Sequence, residues 1–83
     1  MKENTPGHRI TAVWMFVAID TDGDEGLPAF LTASGVPMPM VCTDEARVRQ
    51  LRPIAERAAR ERGVRIELVK FGGARETLEV FAP

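Results

Sequence analysis

The stretch RITAVWMFVAID, Arg9 to Asp20, decides the fold. It is rich in β-branched and aromatic residues, holds neither glycine nor proline, and runs into a cluster of turn formers, so it predicts a long strand. One parity carries Ile10, Ala12, Trp14, Phe16 and Ala18; the other carries Val13, Met15, Val17 and Ile19. Both faces are apolar, as in a central strand covered on two sides.

Working outward from that strand, LPAFLTA places Leu27, Ala29 and Leu31 on one face and Phe30 and Thr32 on the other. Pro28 has no backbone donor, so this second strand belongs at an edge or begins just after the proline. Ser34 and Gly35 mark a turn, and Met38 to Thr43 form a third strand antiparallel to the second, kept extended by the neighbouring prolines. Thr43 or Asp44 then caps a helix over 44–62. Val48, Leu51, Ala55 and Ala58 form its apolar stripe with Ile54 alongside, Gly63 stops it, and Pro53 is expected to kink it or to shorten its first turn. In VRIELVKF, Val64, Ile66 and Leu68 alternate with Arg65 and Glu67, which predicts a strand with one solvated face at its start. Gly72 and Gly73 lead into residues 75–81, a strand with Leu78 and Val80 facing the core or a short helix.

The resulting order, β-β-β-α-β-β, predicts an α+β fold: a small antiparallel or mixed sheet with one helix packed on one face. Residues 1–8 read as a flexible tail before a single domain over 9–83. One helix covers only one sheet face, yet the first strand is apolar on both. A second copy of the chain is the expected cover, with the tail or a curled sheet edge as the alternative.

Composition restricts the function. A chain of 83 residues is one small domain, and at that size only about 60 to 65% of the unfolded surface is buried on folding. A hydrophobic content of 45% with 28% charged residues excludes a disordered chain. No apolar run is long enough to cross a bilayer, no leader pattern is present, and Cys42 has no partner for an internal disulfide. These features predict a cytoplasmic protein without a membrane segment. The net charge of −1 gives no overall pull toward polyanions. Its distribution is uneven, because two basic residues face seven acidic ones up to Glu45 and nine face five afterwards.

The acidic stretch IDTDGDEGLP tests as a metal loop. Asp20, Asp22 and Asp24 match the first three ligand positions of an EF-hand loop, but Glu25 stands where its glycine belongs and Leu31 where its bidentate glutamate belongs. Those three aspartates are thus only a weak divalent-cation candidate, and a hairpin tip with Asx turns and left-handed Gly23 and Gly26 is the expected structure. The helix carries Arg47, Arg49, Arg52, Arg57, Arg60 and Arg62, offset by Asp44, Glu45, Glu56 and Glu61 and without interleaved aromatic residues for base stacking. Nucleic-acid or phosphate binding there is the alternative function, not the leading one. Cys42 precedes the helix cap, but the only histidine, His8, lies in the tail, so no activated thiol is expected. No phosphate loop, dinucleotide fingerprint or metal-ligand cluster occurs, and no cofactor is implied.

The leading expectation is a non-enzymatic protein-interaction module, an adaptor, regulator or inhibitor, homodimeric through an apolar sheet face and binding a further protein. The expected patch is Val13, Met15 and Val17, extended by Met38 and Met40. Its charged rim is Asp20, Asp22, Asp24, Glu25, Arg49, Arg52 and Arg60. Size and the lack of catalytic equipment suit a small accessory protein of a bacterium or phage.

Overall fold

Strand β1, Val13–Ile19, lies at the centre of the sheet. The computed structural model describes residues 10–83, so the tail expected over 1–8, with His8, lies outside the described residues. On one side β1 pairs along its whole length with β6, Arg65–Phe71, which forms a hairpin with the edge strand β7, Arg75–Phe81. On the other side it meets two short strands in series, β2 (Glu25–Gly26) near its end and β5 (Val41–Cys42) near its start. Between them the Phe16 amide donates to the Met40 carbonyl at 3.0 Å, so β1 remains hydrogen-bonded across the gap. Every pairing is antiparallel, and helix α1, Glu45–Arg62, packs on one face. The fold is α+β, as the element order predicts.

The expected second strand leaves this sheet, and the expected third, Met38 to Thr43, is divided: Val41–Cys42 stays as β5 while its start joins the second. β3 (Ala29–Leu31) and β4 (Pro37–Pro39) pair only with each other, as a two-stranded hairpin. The prolines explain its form. Met40 donates to the Pro28 carbonyl at 3.2 Å and Thr32 to the Val36 carbonyl at 3.0 Å. Hydrogen-bonded pairs alternate with open ones along an antiparallel ladder. Pro37 and Pro39, opposite Leu31 and Ala29, therefore occupy positions where an N–H would point outward. The ladder loses nothing, while the outer edge of β4 lacks two donors and cannot extend a sheet. At the tip, Gly35 takes φ +83° and donates to the Thr32 carbonyl at 2.9 Å.

Helix α1 has the ends its sequence specifies. Asp44 is the N-cap and its Oδ1 accepts from the Arg47 amide at 2.8 Å, whereas Gly63, at φ +65°, closes the last turn by donating to Ala59. The helix runs unbroken through Pro53, so the expected short first turn with Pro53 near the start of the main helix is not formed. Pro53 lies on the exposed side, so the Arg49 carbonyl that it deprives of a donor faces water. The buried stripe is Val48, Leu51, Ala55 and Ala59, with Ile54 and Ala58 half-buried at its margin. Ala59 thus takes the place expected of Ala58.

This stripe meets Phe16, Met40, Cys42, Ile66, Leu68 and Phe81, with Trp14, Ala18 and Phe30 packed around them. The Phe16 and Phe81 rings lie 6.0 Å apart in a tilted arrangement. Residues 75–81 are a strand, but Leu78 and Val80 do not face the core; they are 44% and 46% exposed. The cause is a bulge, since Val69 pairs with Thr77 and Leu68 with Glu79, leaving Leu78 as an extra residue. The shift turns Phe81 into the core and Glu79 toward the helix, where Arg52 Nε and Nη2 donate to its Oε1 at 3.0 and 2.6 Å. Among the described residues no helix is long and apolar enough to cross a membrane.

Candidate functional site

Opposed residues of an antiparallel sheet share a face, so the register arranges the helix-free face in rows. Val41, Met15, Val69 and Thr77 form one; Val17, Glu67 and Val80 a second. Val13, Phe71 and Arg75 form a third, and Glu25, Ile19 and Arg65 a fourth. Glu25 and Arg75 thereby occupy diagonal corners, separated by three strand spacings and the length of β1. In a flat sheet that distance would be on the order of 25 Å.

They nevertheless touch. Arg75 Nη1 donates to Glu25 Oε1 at 3.0 Å and Nη2 to Oε2 at 2.7 Å. Two side chains can close such a gap only if the sheet is strongly coiled, so this face is concave and Arg75 straps it. The same guanidinium lies 3.9 Å from Glu67, whose other carboxylate oxygen is 2.8 Å from Arg65 Nη2. Thr77 Oγ1 donates to Glu67 Oε1 at 3.5 Å. The result is an alternating network of two arginines and two glutamates, formally neutral, laid over an apolar floor. Beneath it Val69 is 0% and Val17 6% exposed, and Glu67 itself is 8% exposed.

This corrects one expectation. Glu67 does not lie on a solvated face; coiling folds the face over it, and its partners make burial tolerable. At its centre the second face of β1 is covered by its own curled sheet. Its margin stays accessible: Phe71 and Val80 are exposed, and Val13, Met15, Ile19 and Val41 are half-buried.

Of the expected patch, Val13, Met15 and Val17 lie together on this face. Met40 lies on the other, 1% exposed inside the helix-side core, because it roots the hairpin beside Phe16. Met38 belongs to β4, away from the main sheet. Of the expected rim, Glu25 is committed to the strap and Arg52 to Glu79. The Arg52 guanidinium also sits 5.9 Å from the Phe81 ring centroid, tying the helix to β7. Arg49 and Arg60 occupy the outward side of α1 with Arg57, and none of the three forms an ion pair among the described residues. Arg65, Glu67, Val69, Phe71 and Arg75 are not among the site residues expected from the sequence. Aligning β6 against β1 would have placed the first four, since alternation puts Arg65, Glu67, Val69 and Phe71 on one parity; Arg75 follows only from the pairing of β7 with β6.

The acidic tip is built as a turn. Asp20 Oδ1 accepts from the amides of Asp22 and Asp24 at 2.9 and 3.0 Å, and the Gly23 amide donates to the Asp20 carbonyl at 3.0 Å. Gly23 is left-handed at φ +88°, whereas Gly26 pairs in β2 with negative φ, contrary to expectation. Among the described residues no three histidine, cysteine or carboxylate side chains gather as a metal site. Asp20 and Thr21 line a shallow cleft with Gly63 and Val64, so the acidic tip and the end of α1 lie at the same end of the molecule. Cys42 is buried, and loss of solvent pushes its thiol pKa up, with Arg47 opposing and Asp44 reinforcing the shift.

No family model, no curated protein and no solved structure matches this chain.

Proposed function

We infer that the chain is a non-enzymatic protein-interaction module of a reducing, cytoplasmic compartment, self-associating through the rim of its helix-free sheet face. The supporting observation is that this face keeps Phe71 and Val80 exposed and Val13, Met15, Ile19 and Val41 half-exposed around a network whose charges already neutralise one another. A charge-neutral apolar surface suits another neutral apolar surface, and an identical copy supplies one by two-fold symmetry. The strap also lowers the penalty for covering the face, because Glu67 enters the interface with its partners attached.

Sedimentation velocity at high micromolar concentration tests this reading. The wild type is expected to dimerise, and Phe71→Gln with Val80→Thr, both exposed and both compatible with a strand, is expected to be monomeric and folded. A wild type that remains strictly monomeric overturns it. Arg49, Arg57 and Arg60, without an ion pair among the described residues, favour a second reading, polyanion binding by helix 44–62. Glu56 on the same side opposes it, and the decisive measurement is fluorescence anisotropy with single- and double-stranded oligonucleotides across a salt series.

A further inference from the structure

A second apolar recess lies on the other side of the molecule, between the β3–β4 hairpin and the last half of α1. It is a half-open groove of about 480 Å³, within the volume range of small-molecule sites. Its floor is apolar, formed by fully buried Met40 with half-buried Phe30, Ile54 and Ala58. Leu31, 71% exposed, stands at its mouth. The polar side chains lining it are Arg57, Glu61 and Arg62, and no ion pair among the described residues uses any of them. By contrast, Arg52, Arg65 and Arg75 all hold a carboxylate.

We propose that this recess binds a medium-chain aliphatic carboxylate, with the hydrocarbon over Phe30, Met40, Ile54 and Ala58 and the carboxylate between Arg57 and Arg62. Two guanidiniums and one carboxylate give the mouth a single net positive charge, which matches a monoanion; a polyanion would meet Glu61. Guanidinium geometry suits a carboxylate, with two parallel donors to two oxygens. The hairpin wall can adjust to the chain, because it shares no ladder with the main sheet beyond its root at Pro28 and Met40.

Titration of the ¹⁵N-labelled full chain with monomeric decanoate, and with decanol and decyltrimethylammonium as matched probes, tests the assignment. Decanoate is expected to give saturable shifts at the amides of residues 29–31 and 54–62, decanol weaker ones and decyltrimethylammonium none. Arg57→Gln with Arg62→Gln, both exposed, should weaken decanoate roughly tenfold and leave decanol unchanged. The dispersed spectrum of that variant reports its folding in the same experiment. No saturable response, an undiminished response in the double variant, shifts centred on Val13–Ile19, or a response only to phosphatidylglycerol vesicles would each overturn the proposal. Phe71→Gln with Val80→Thr must bind decanoate as the wild type does, which separates this site from the self-association surface.

Discussion

Glu67 shows what a single residue can conceal. In sequence it alternates with Ile66 and Leu68 and reads as the solvated side of an amphipathic strand. In the fold it is 8% exposed, because Arg75 reaches across the coiled face to Glu25 and brings its guanidinium near Glu67 on the way. Alternation reveals which face a residue occupies, but not whether that face is flat, and curvature decided its burial. The strap has a pH signature. Hydrogen bonds from Arg75, more than its charge alone, hold the Glu25 carboxyl below its ordinary pKa of 4.5, while partial desolvation opposes them. A carboxylate with a depressed folded-state pKa adds stability that is present above the ordinary value and is lost as pH falls through the depressed one. Arg75→Gln should therefore lower the urea midpoint most at neutral pH, and its difference from the wild type should shrink below about pH 4.5; an undiminished difference down to the acid limit would show that the strap does not depend on Glu25. Cys42 gives the opposite case. Burial raises its pKa and hides its sulfur, so alkylation by iodoacetamide at pH 8 should be slow in the native chain and fast in urea.

At the scale of elements, the helix was the most legible part of the chain, because its signals are local. Asp44, the stripe from Val48 to Ala59 and Gly63 each act through neighbours within a turn or so. Asp44→Ala should therefore cost about 1 kcal/mol in urea denaturation. Pro53 is the exception, a residue whose local penalty the rest of the helix overrides. An interior proline costs about 3 kcal/mol relative to alanine, offset by about 0.4–1 kcal/mol through restriction of the unfolded chain. Pro53→Ala should thus stabilise the protein by roughly 2–2.6 kcal/mol; an unchanged or lowered urea midpoint would mean that the turn around Arg49 is already relaxed. The strands were legible in position but not always in partnership. The β3–β4 hairpin detaches because Pro37 and Pro39 remove the donors of its outer edge, a consequence that appears only once the ladder register is known. β7 was misread in phase, since Leu78 slips out as a bulge, and nothing in RETLEVF marks which residue is the extra one.

For the whole molecule, the central question is what the doubly apolar β1 implies. One helix does cover one face, as its single stripe requires. The other face is half solved by coiling: its centre closes under the Arg65–Glu67–Arg75–Glu25 network, and its margin remains apolar and accessible. Self-association proposed on that margin makes a thermodynamic prediction independent of any measurement of size. A protein that dimerises only when folded is stabilised by mass action, so its melting temperature must rise with total chain concentration. For a domain of this size, about 1 kcal/mol corresponds to about 4–8 °C. Each tenfold rise in concentration adds up to about 1.4 kcal/mol per mole of dimer, half of that per chain, once the dimer dominates. Calorimetry from ten micromolar to one millimolar should then show a shift of several degrees in the wild type and none in Phe71→Gln with Val80→Thr. A melting temperature that is flat for both would mean that coiling alone satisfies the second face of β1, leaving the chain stable as a monomer with Phe71 and Val80 as isolated surface apolar residues.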